Sequence, residues 1–147
     1  MSRLSQDQLR ALFPEYQPED FLDTSDPTSF YNCIAWAAHQ TDAWWEPTAG
    51  YYWPSEAPPD HLPSSLVSAF TAIGYTECET SLIEDCFDKI ALYASDDEWL
   101  HAARQKPNGK WTSKLGQCQD IEHSSPESII CQEYGRIHCL MKKPRTS

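Results

Sequence analysis

The stretch Phe30-Tyr31-Asn32-Cys33-Ile34-Ala35-Trp36-Ala37-Ala38-His39 predicts a buried helix whose first residue is a cysteine. Asn32 is a favoured N-cap residue, because its side chain can accept an orphan backbone N–H at a helix start. On this interpretation the helix begins at Cys33 and extends to about Thr41 or Ala43. The thiol would lie at the positive end of the helix dipole, which favours the thiolate. Two interpretations stay open for it: a reactive nucleophile, or a small apolar side chain packed in the core.

Length and composition limit the class of protein. The chain has 147 residues and a formal net charge of -11, which suits one domain with its own core. The negative charge disfavours general attraction to a nucleic-acid backbone or an anionic membrane, so we expect neither as a partner. The first residues, Met1–Asp7, contain no apolar segment of the secretory type. We therefore expect a cytoplasmic protein with free thiols, and we leave its oligomeric state open.

The order of the predicted elements indicates an α+β domain. A first helix begins at the capping box Ser5–Gln8 and stops at Pro14, and an extended loop follows. Another helix begins at Pro63 or Ser64 and ends before Gly74. Strand and hairpin patterns follow it. The predicted strands are 75–81, 87–94, 98–105, 110–115 and 136–141, with a short helix at 128–132.

We divide this single domain, residues 1–147, into three parts. They are an N-terminal helix and loop (1–29), a helical part with an aromatic loop (30–74) and a sheet part (75–147).

The aromatic loop, residues 44–63, is rich in tryptophan, tyrosine and proline and has neither helical nor strand periodicity. A loop of this length is usually functional when it is ordered. Its aromatic side chains either cover the core as a lid or line a substrate groove. The predicted groove residues are Trp36, Trp44, Trp45 and Trp53.

His101 is the second candidate for a catalytic residue. It lies in an otherwise apolar stretch of the predicted strand Trp99–Gln105. A histidine on a central strand can stand over the N-terminus of a packed helix. That arrangement would bring the His101 ring to the Cys33 sulfur and form the nucleophile–base pair of a cysteine hydrolase. The alternative is a core histidine whose ring is satisfied by its neighbours.

A cysteine that begins an early helix, followed by a histidine on the downstream sheet, resembles the chain order of papain-like thiol hydrolases. This group includes the NlpC/P60 and CHAP peptidases and amidases, and small bacterial proteins of that type. Asn32–Ala37 resembles the nucleophile segment, and His101 with Trp111–Gly116 resembles the histidine strand and the strand after it. The resemblance implies N-terminal helices packed on a C-terminal antiparallel sheet. Two features depart from papain: no glutamine stands shortly before Cys33, and Trp111–Gly116 contains no asparagine.

The residue that would orient the His101 ring stays open among three candidates. Asp120 and His123 can each accept a hydrogen bond from an imidazole N–H, whereas Ser113 lies on the predicted hairpin. Asn32 and the backbone N–H of Cys33 are the predicted oxyanion donors.

Together these residues predict a cysteine hydrolase that cleaves a peptide, isopeptide or other amide bond through an acyl-thioester. Cys33 would be the nucleophile, His101 the general base and acid, and a peptide or protein the substrate. A deamidase or an acyl or amine transferase would use the same pair. The alternative from another class is a non-catalytic interaction module that binds a protein partner through the aromatic loop. The cysteines and histidines lack the spacing of zinc motifs, and no glycine-rich phosphate loop occurs, so no metal or cofactor is predicted.

Overall fold

Within the described part of the chain, a single antiparallel sheet of seven strands forms the centre of the fold. The structure is a computed structural model and describes residues 3–145. Across the sheet the strand order is β1-β6-β5-β4-β3-β7-β2. In chain order the strands are β1 (Phe21–Ser25), β2 (Thr76–Cys78), β3 (Phe87–Ala94), β4 (Trp99–Gln105), β5 (Trp111–Lys114), β6 (Asp120–His123) and β7 (Arg136–Pro144).

Among residues 3–145, three short helices lie before or between the strands along the chain. They are α1 (Gln6–Leu12), α2 (Cys33–Ala37) and α3 (Pro63–Ala72), and two 3-10 turns lie at Pro18–Asp20 and Pro126–Ile129. The α+β class predicted from the sequence is therefore confirmed. Among residues 3–145, none of the helices has both the length and the apolar character that crossing a membrane requires.

Local sequence signals account for the helix ends. The predicted capping box begins α1, since Ser5 Oγ accepts from the Gln8 N–H and Gln8 Oε1 accepts from the Ser5 N–H. Gly74 adopts a φ of 106° just beyond α3, which is a conformation that glycine takes without strain. The helix α2 is shorter than predicted. It stops at Ala37, and His39 then adopts a positive φ of 63°.

Two strands, β1 and β6, were not predicted. β1 is an edge strand with three exposed residues in succession, so it lacks the alternating pattern of a half-buried strand. β6 is buried at all four positions, yet three of its residues are polar or charged. The two strands pair with each other, with Phe21 opposite His123, so the N-terminal part of the chain completes one edge of the sheet.

Both faces of the sheet are covered, and each has its own core. One core combines residues of α2 and α3 with Ile90, Leu92 and Ala102. The other combines residues of α1 and the Pro126–Ile129 turn with Tyr93 and Ala103. We call the first the Cys33 face and the second the His123 face. Full burial of a large apolar side chain contributes about 1.5–3 kcal/mol, so each core is a substantial source of stability.

Candidate functional site

Asn32 caps α2 as the sequence predicted. Its Oδ1 accepts from the Ala35 N–H at 3.1 Å and from the Trp45 N–H at 3.2 Å. Its Nδ2 donates to the Trp45 carbonyl at 2.7 Å. The side chain thereby joins the start of α2 to the aromatic loop. Because these contacts engage both ends of the amide, Asn32 is not placed to act as the predicted oxyanion donor.

The Cys33 thiol is buried and is not activated. Only 9% of the residue is exposed, and this burial raises the pKa of the thiol to about 11. The nearby backbone N–H groups of Ala102 and Ile34 lower the pKa, but burial outweighs them. A helix of five residues also adds little dipole to offset the loss of solvation. The low-pKa thiolate predicted from the sequence is therefore wrong for this structure.

His101 lies on the other side of the sheet from Cys33. Successive side chains of a strand point to opposite faces, and the register places His101 opposite Tyr93 and Ala102 opposite Leu92. Ala102 and Leu92 pack in the core that contains Cys33. The His101 ring instead stacks on the Tyr134 ring, with 3.9 Å between centroids, on the His123 face. The predicted contact between the Cys33 sulfur and the His101 ring is therefore absent.

Ser113 and His123 form a buried pair with each other. The Ser113 hydroxyl donates to His123 Nε2 at 2.8 Å, because the Nδ1–H of the same ring donates to the Ser125 carbonyl at 2.8 Å. Burial lowers the pKa of His123 to about 4 and that of His101 well below its ordinary value. Among the described residues, His101 Nε2 has no hydrogen-bond partner. Neither Ser113 nor His123 therefore orients His101, and both serve the structure of the His123 face.

Asp120, the third candidate, occupies a different environment on the Cys33 face. It is opposite Ser25 on β1 and Lys114 on β5, and it is only 1% exposed. Neither carboxylate oxygen has a hydrogen-bond partner among the described residues, and the Ser25 hydroxyl lacks one as well. Burial raises the pKa of Asp120, although its own backbone N–H and the charges of Lys114 and Arg104 act in the opposite direction. Asp120 is thus a buried acid whose hydrogen-bonding capacity the fold leaves unused.

Asp120 is one of the residues that line a pocket of about 270 Å³. Its aromatic wall is held in place by several contacts. Trp36 Nε1 donates to Thr112 Oγ1 at 2.9 Å, and the Tyr31 ring stacks on Trp36 at a centroid distance of 5.8 Å. The Arg104 guanidinium carbon lies 3.6 Å from the centre of the Trp36 ring, and Nη1 donates to the Trp36 carbonyl at 3.0 Å. The pocket is therefore formed before any ligand enters. We call it the Asp120 pocket.

The predicted tryptophan groove does not form. Trp45 is buried in the core and packs on Tyr52. Trp53 stacks on Trp99 with an interplanar angle of 6° and donates to the Pro58 carbonyl. Trp44 borders a separate surface pocket. Of the four predicted groove residues only Trp36 lines the Asp120 pocket, and the aromatic loop acts mainly as the lid that was the other interpretation.

Six residues that line the pocket were not among the predicted site residues: Thr24, Ser25, Tyr31, Arg104, Lys106 and Thr112. Arg104 and Thr112 sit on strands that were predicted, and they are opposite each other in the register. The available signal was a pair of polar residues at facing positions of two predicted strands. Ser25 could not be found in this way, because its strand was not predicted.

Comparison with known proteins identifies a family. The family described as Domain of unknown function (DUF7689) matches residues 22–142. That range begins in β1 and ends in β7, and it includes every residue of the Asp120 pocket named above. No curated protein and no solved structure matches the chain. Among the described residues, no group of three or more His, Cys, Asp or Glu side chains is arranged to hold a metal ion.

Proposed function

Because the chain belongs to the DUF7689 family, whose description states no activity, we propose a function from the pocket: the domain binds a small polar ligand beside Asp120. The observation that carries this proposal is the buried carboxylate with two unpartnered oxygens at a preformed cavity. Binding sites are concave, largely preformed and supplied with a few convergent polar groups. The Asp120 pocket has each of these properties.

The free-energy cost of burying the Asp120 carboxylate without a hydrogen-bond partner supports a functional role for this residue. Leaving a buried polar group without a partner costs about 1–3 kcal/mol, and more when the group is charged. Stability alone does not explain why the chain keeps this carboxylate, because removing its charge would make the fold more stable. A ligand that donates hydrogen bonds to the carboxylate would recover the cost on binding. This is why an unsatisfied acid at a cavity favours recognition over a structural role.

A substitution at Asp120 tests the proposal without knowledge of the ligand. We expect Asp120→Asn to raise the free energy of unfolding by about 1–2 kcal/mol at neutral pH, because it removes the buried charge. For a chain of this size that corresponds to a rise in Tm of about 3–6 °C. Chemical and thermal unfolding of the two proteins measure the difference.

Glu122 is the matched control, because it lies two residues along the same strand and its carboxylate is paired with Lys106 at 2.7 Å. We expect Glu122→Gln to leave stability unchanged or to lower it by up to about 1 kcal/mol. If Asp120→Asn also lowers stability, Asp120 is a structural acid and the proposal is wrong.

The cysteine hydrolase of papain-like type is the second candidate. One observation favours it: the backbone N–H groups of Ala102 and Ile34 lie close enough to the Cys33 thiol to lower its pKa, so donors for a nearby oxyanion would be available. It requires a base other than His101 and a rearrangement that exposes the thiol. Alkylation of the native protein at pH 6 tests this candidate. Preferential labelling of Cys33 over the exposed Cys86 would support the hydrolase, and labelling of Cys33 only after unfolding would exclude it.

A further inference from the structure

The Asp120 pocket contains one acid and one base whose charges are not neutralised by a close partner. The Asp120 oxygens have no hydrogen-bond partner among the described residues. Arg104 uses one N–H to bind the Trp36 carbonyl, which leaves other donors of the five that a guanidinium carries. The two groups attract each other electrostatically without forming a hydrogen bond, and this attraction offsets part of the desolvation cost of each. The lining of the pocket therefore includes one acidic group, Asp120, and one basic group, Arg104, that lack a close charged partner within residues 3–145.

The remaining charged groups near Asp120 are already engaged. Lys106 forms an ion pair with Glu122 at 2.7 Å. Lys114, opposite Asp120 on β5, donates its ammonium to the Thr28 carbonyl at 2.8 Å and also to the Gly116 carbonyl. Tyr31 lies against Lys114, with 5.3 Å between the ammonium nitrogen and the ring centre. Asp120 and Arg104 are thus the two groups that a ligand would address.

Resting on the proposed function, we infer that the ligand is a small zwitterion that carries an ammonium and a carboxylate group. The ammonium donates to Asp120, and the carboxylate accepts from the guanidinium of Arg104, which suits bidentate recognition of a carboxylate. A ligand with only a positive charge would leave Arg104 uncompensated. A ligand with only a negative charge would leave the Asp120 oxygens unpaired and would be repelled by them.

The walls and the size of the pocket define the rest of the ligand. Trp36 and Tyr31 present aromatic surface, which favours an apolar or flat body between the two charged groups. A cavity of about 270 Å³ is large enough for a compound of amino-acid size. The chemical class is therefore a free amino acid or a related amino carboxylate with an apolar side chain.

Four probes separate the contributions of the two charges. L-phenylalanine carries both charges, 2-phenylethylamine carries only the positive one, and 3-phenylpropanoate carries only the negative one on the same body. Glycine carries both charges without the apolar body. Binding is followed by NMR through the indole N–H signal of Trp36, which is assigned with the variant Trp36→Phe. We expect L-phenylalanine to shift this signal at millimolar concentration and to bind about tenfold more tightly than either singly charged probe, which corresponds to about 1.4 kcal/mol.

Two variants test which residues of the protein bind the charged groups of the ligand. Asp120→Asn and Arg104→Gln should each weaken L-phenylalanine binding about tenfold or more. Asp96→Asn, at an exposed acid away from the pocket, should leave it unchanged. Glycine should bind more weakly than L-phenylalanine but respond to both variants in the same way.

The outcomes distinguish this inference from the proposed function. If 2-phenylethylamine binds as tightly as L-phenylalanine, or if neither zwitterion shifts the Trp36 signal, the ligand class is wrong. A gain in stability for Asp120→Asn would then still support a binding pocket of other specificity. A loss of stability for that variant would overturn the proposed function and this inference together.

Discussion

Two sets of buried polar residues on the strand pair β5 and β6, one on each face, differ in their hydrogen bonding. On the His123 face, Ser113 and His123 are hydrogen-bonded to each other, and the second ring nitrogen bonds the Ser125 carbonyl. On the Cys33 face, three positions before His123 on β6, the Asp120 carboxylate has no partner among the described residues. Buried polar groups with partners hold a fold together, whereas an unpartnered one requires an explanation. This difference supports a structural role for the Ser113–His123 pair and agrees with the proposed binding role of Asp120.

His101 is the exception on the His123 face, because its Nε2 also lacks a partner among the described residues. Its burial differs in kind from that of Asp120. The imidazole is kept neutral by burial, which lowers its pKa, and its ring is covered by the Tyr134 ring at 3.9 Å. A neutral ring nitrogen costs less to bury than a carboxylate. His101 is therefore consistent with a core residue rather than a site.

The largest expected effect is destabilisation by acid through the two buried histidines. The unfolded chain binds protons on histidine near pH 6.5, whereas folded His123 binds one only near pH 4, and His101 is shifted in the same direction. The stability that these two neutral histidines contribute is therefore fully present above pH 6.5 and is lost as the pH falls. The loss is about 1.4 kcal/mol per pH unit for each histidine in this window. Urea unfolding between pH 7 and pH 5 measures it, and a flat profile would contradict the assignment of both rings as neutral and buried.

A variant of the Ser113–His123 pair should have the next largest effect. His123→Ala removes a fully buried ring and leaves the Ser113 hydroxyl and the Ser125 carbonyl unpaired. We expect the free energy of unfolding to fall by about 3 kcal/mol. Ser113→Ala is the milder control and should cost about 1–2 kcal/mol, because it leaves only the His123 Nε2 unpaired. Equal stability of His123→Ala and the wild type would mean that the pair does not hold the His123 face.

The third prediction concerns how the gain in stability from Asp120→Asn depends on pH. The pKa of Asp120 is raised in the folded state from its ordinary value of 3.8. Its favourable contribution is therefore present below about pH 4 and is lost as the pH rises through the folded pKa. The stability difference of about 1–2 kcal/mol between variant and wild type should shrink as the pH is lowered towards 4. A difference that stays constant with pH would show that the charge of Asp120 is not its cause.

The smallest expected effect is at Cys33. Because its thiol is buried and has a pKa of about 11, we expect Cys33 to react with iodoacetamide at pH 8 much more slowly than the exposed Cys86. Peptide mapping by mass spectrometry measures the two rates. We expect Cys33→Ala to change stability by about 1 kcal/mol or less, since the side chain is small. Rapid labelling of Cys33 in the native protein would favour the cysteine hydrolase over the ligand-binding domain as the function.

Features that depend on neighbouring residues are predictable from the amino-acid sequence alone. These include the capping of α1 and α2, the positive φ at Gly74, the strands β3, β4 and β5 with their hairpin turn, and the α+β class. Capping residues, turn residues and hydrophobic periodicity act over a few positions along the chain. They are therefore visible without knowledge of the tertiary structure.

The face of the sheet that His101 occupies depends on the packing of the folded chain. The residues after it, Ala102 and Ala103, are both apolar and both buried, because β4 is covered on its two faces. A strand of this kind has no alternation that assigns its side chains to one side. The register with β3 makes the assignment, and a shift of one residue would have reversed it.

The Asp120 pocket likewise depends on partners that are distant in sequence. Asp120 is buried because β6 pairs with β1 on one side and with β5 on the other, and Trp36 and Arg104 come from two further elements. Sequence reasoning identified Asp120 and Trp36 as candidates but assigned them other roles. Whether a buried acid finds a hydrogen-bond partner depends on how strands and helices pack, and this packing is a property of the folded chain alone.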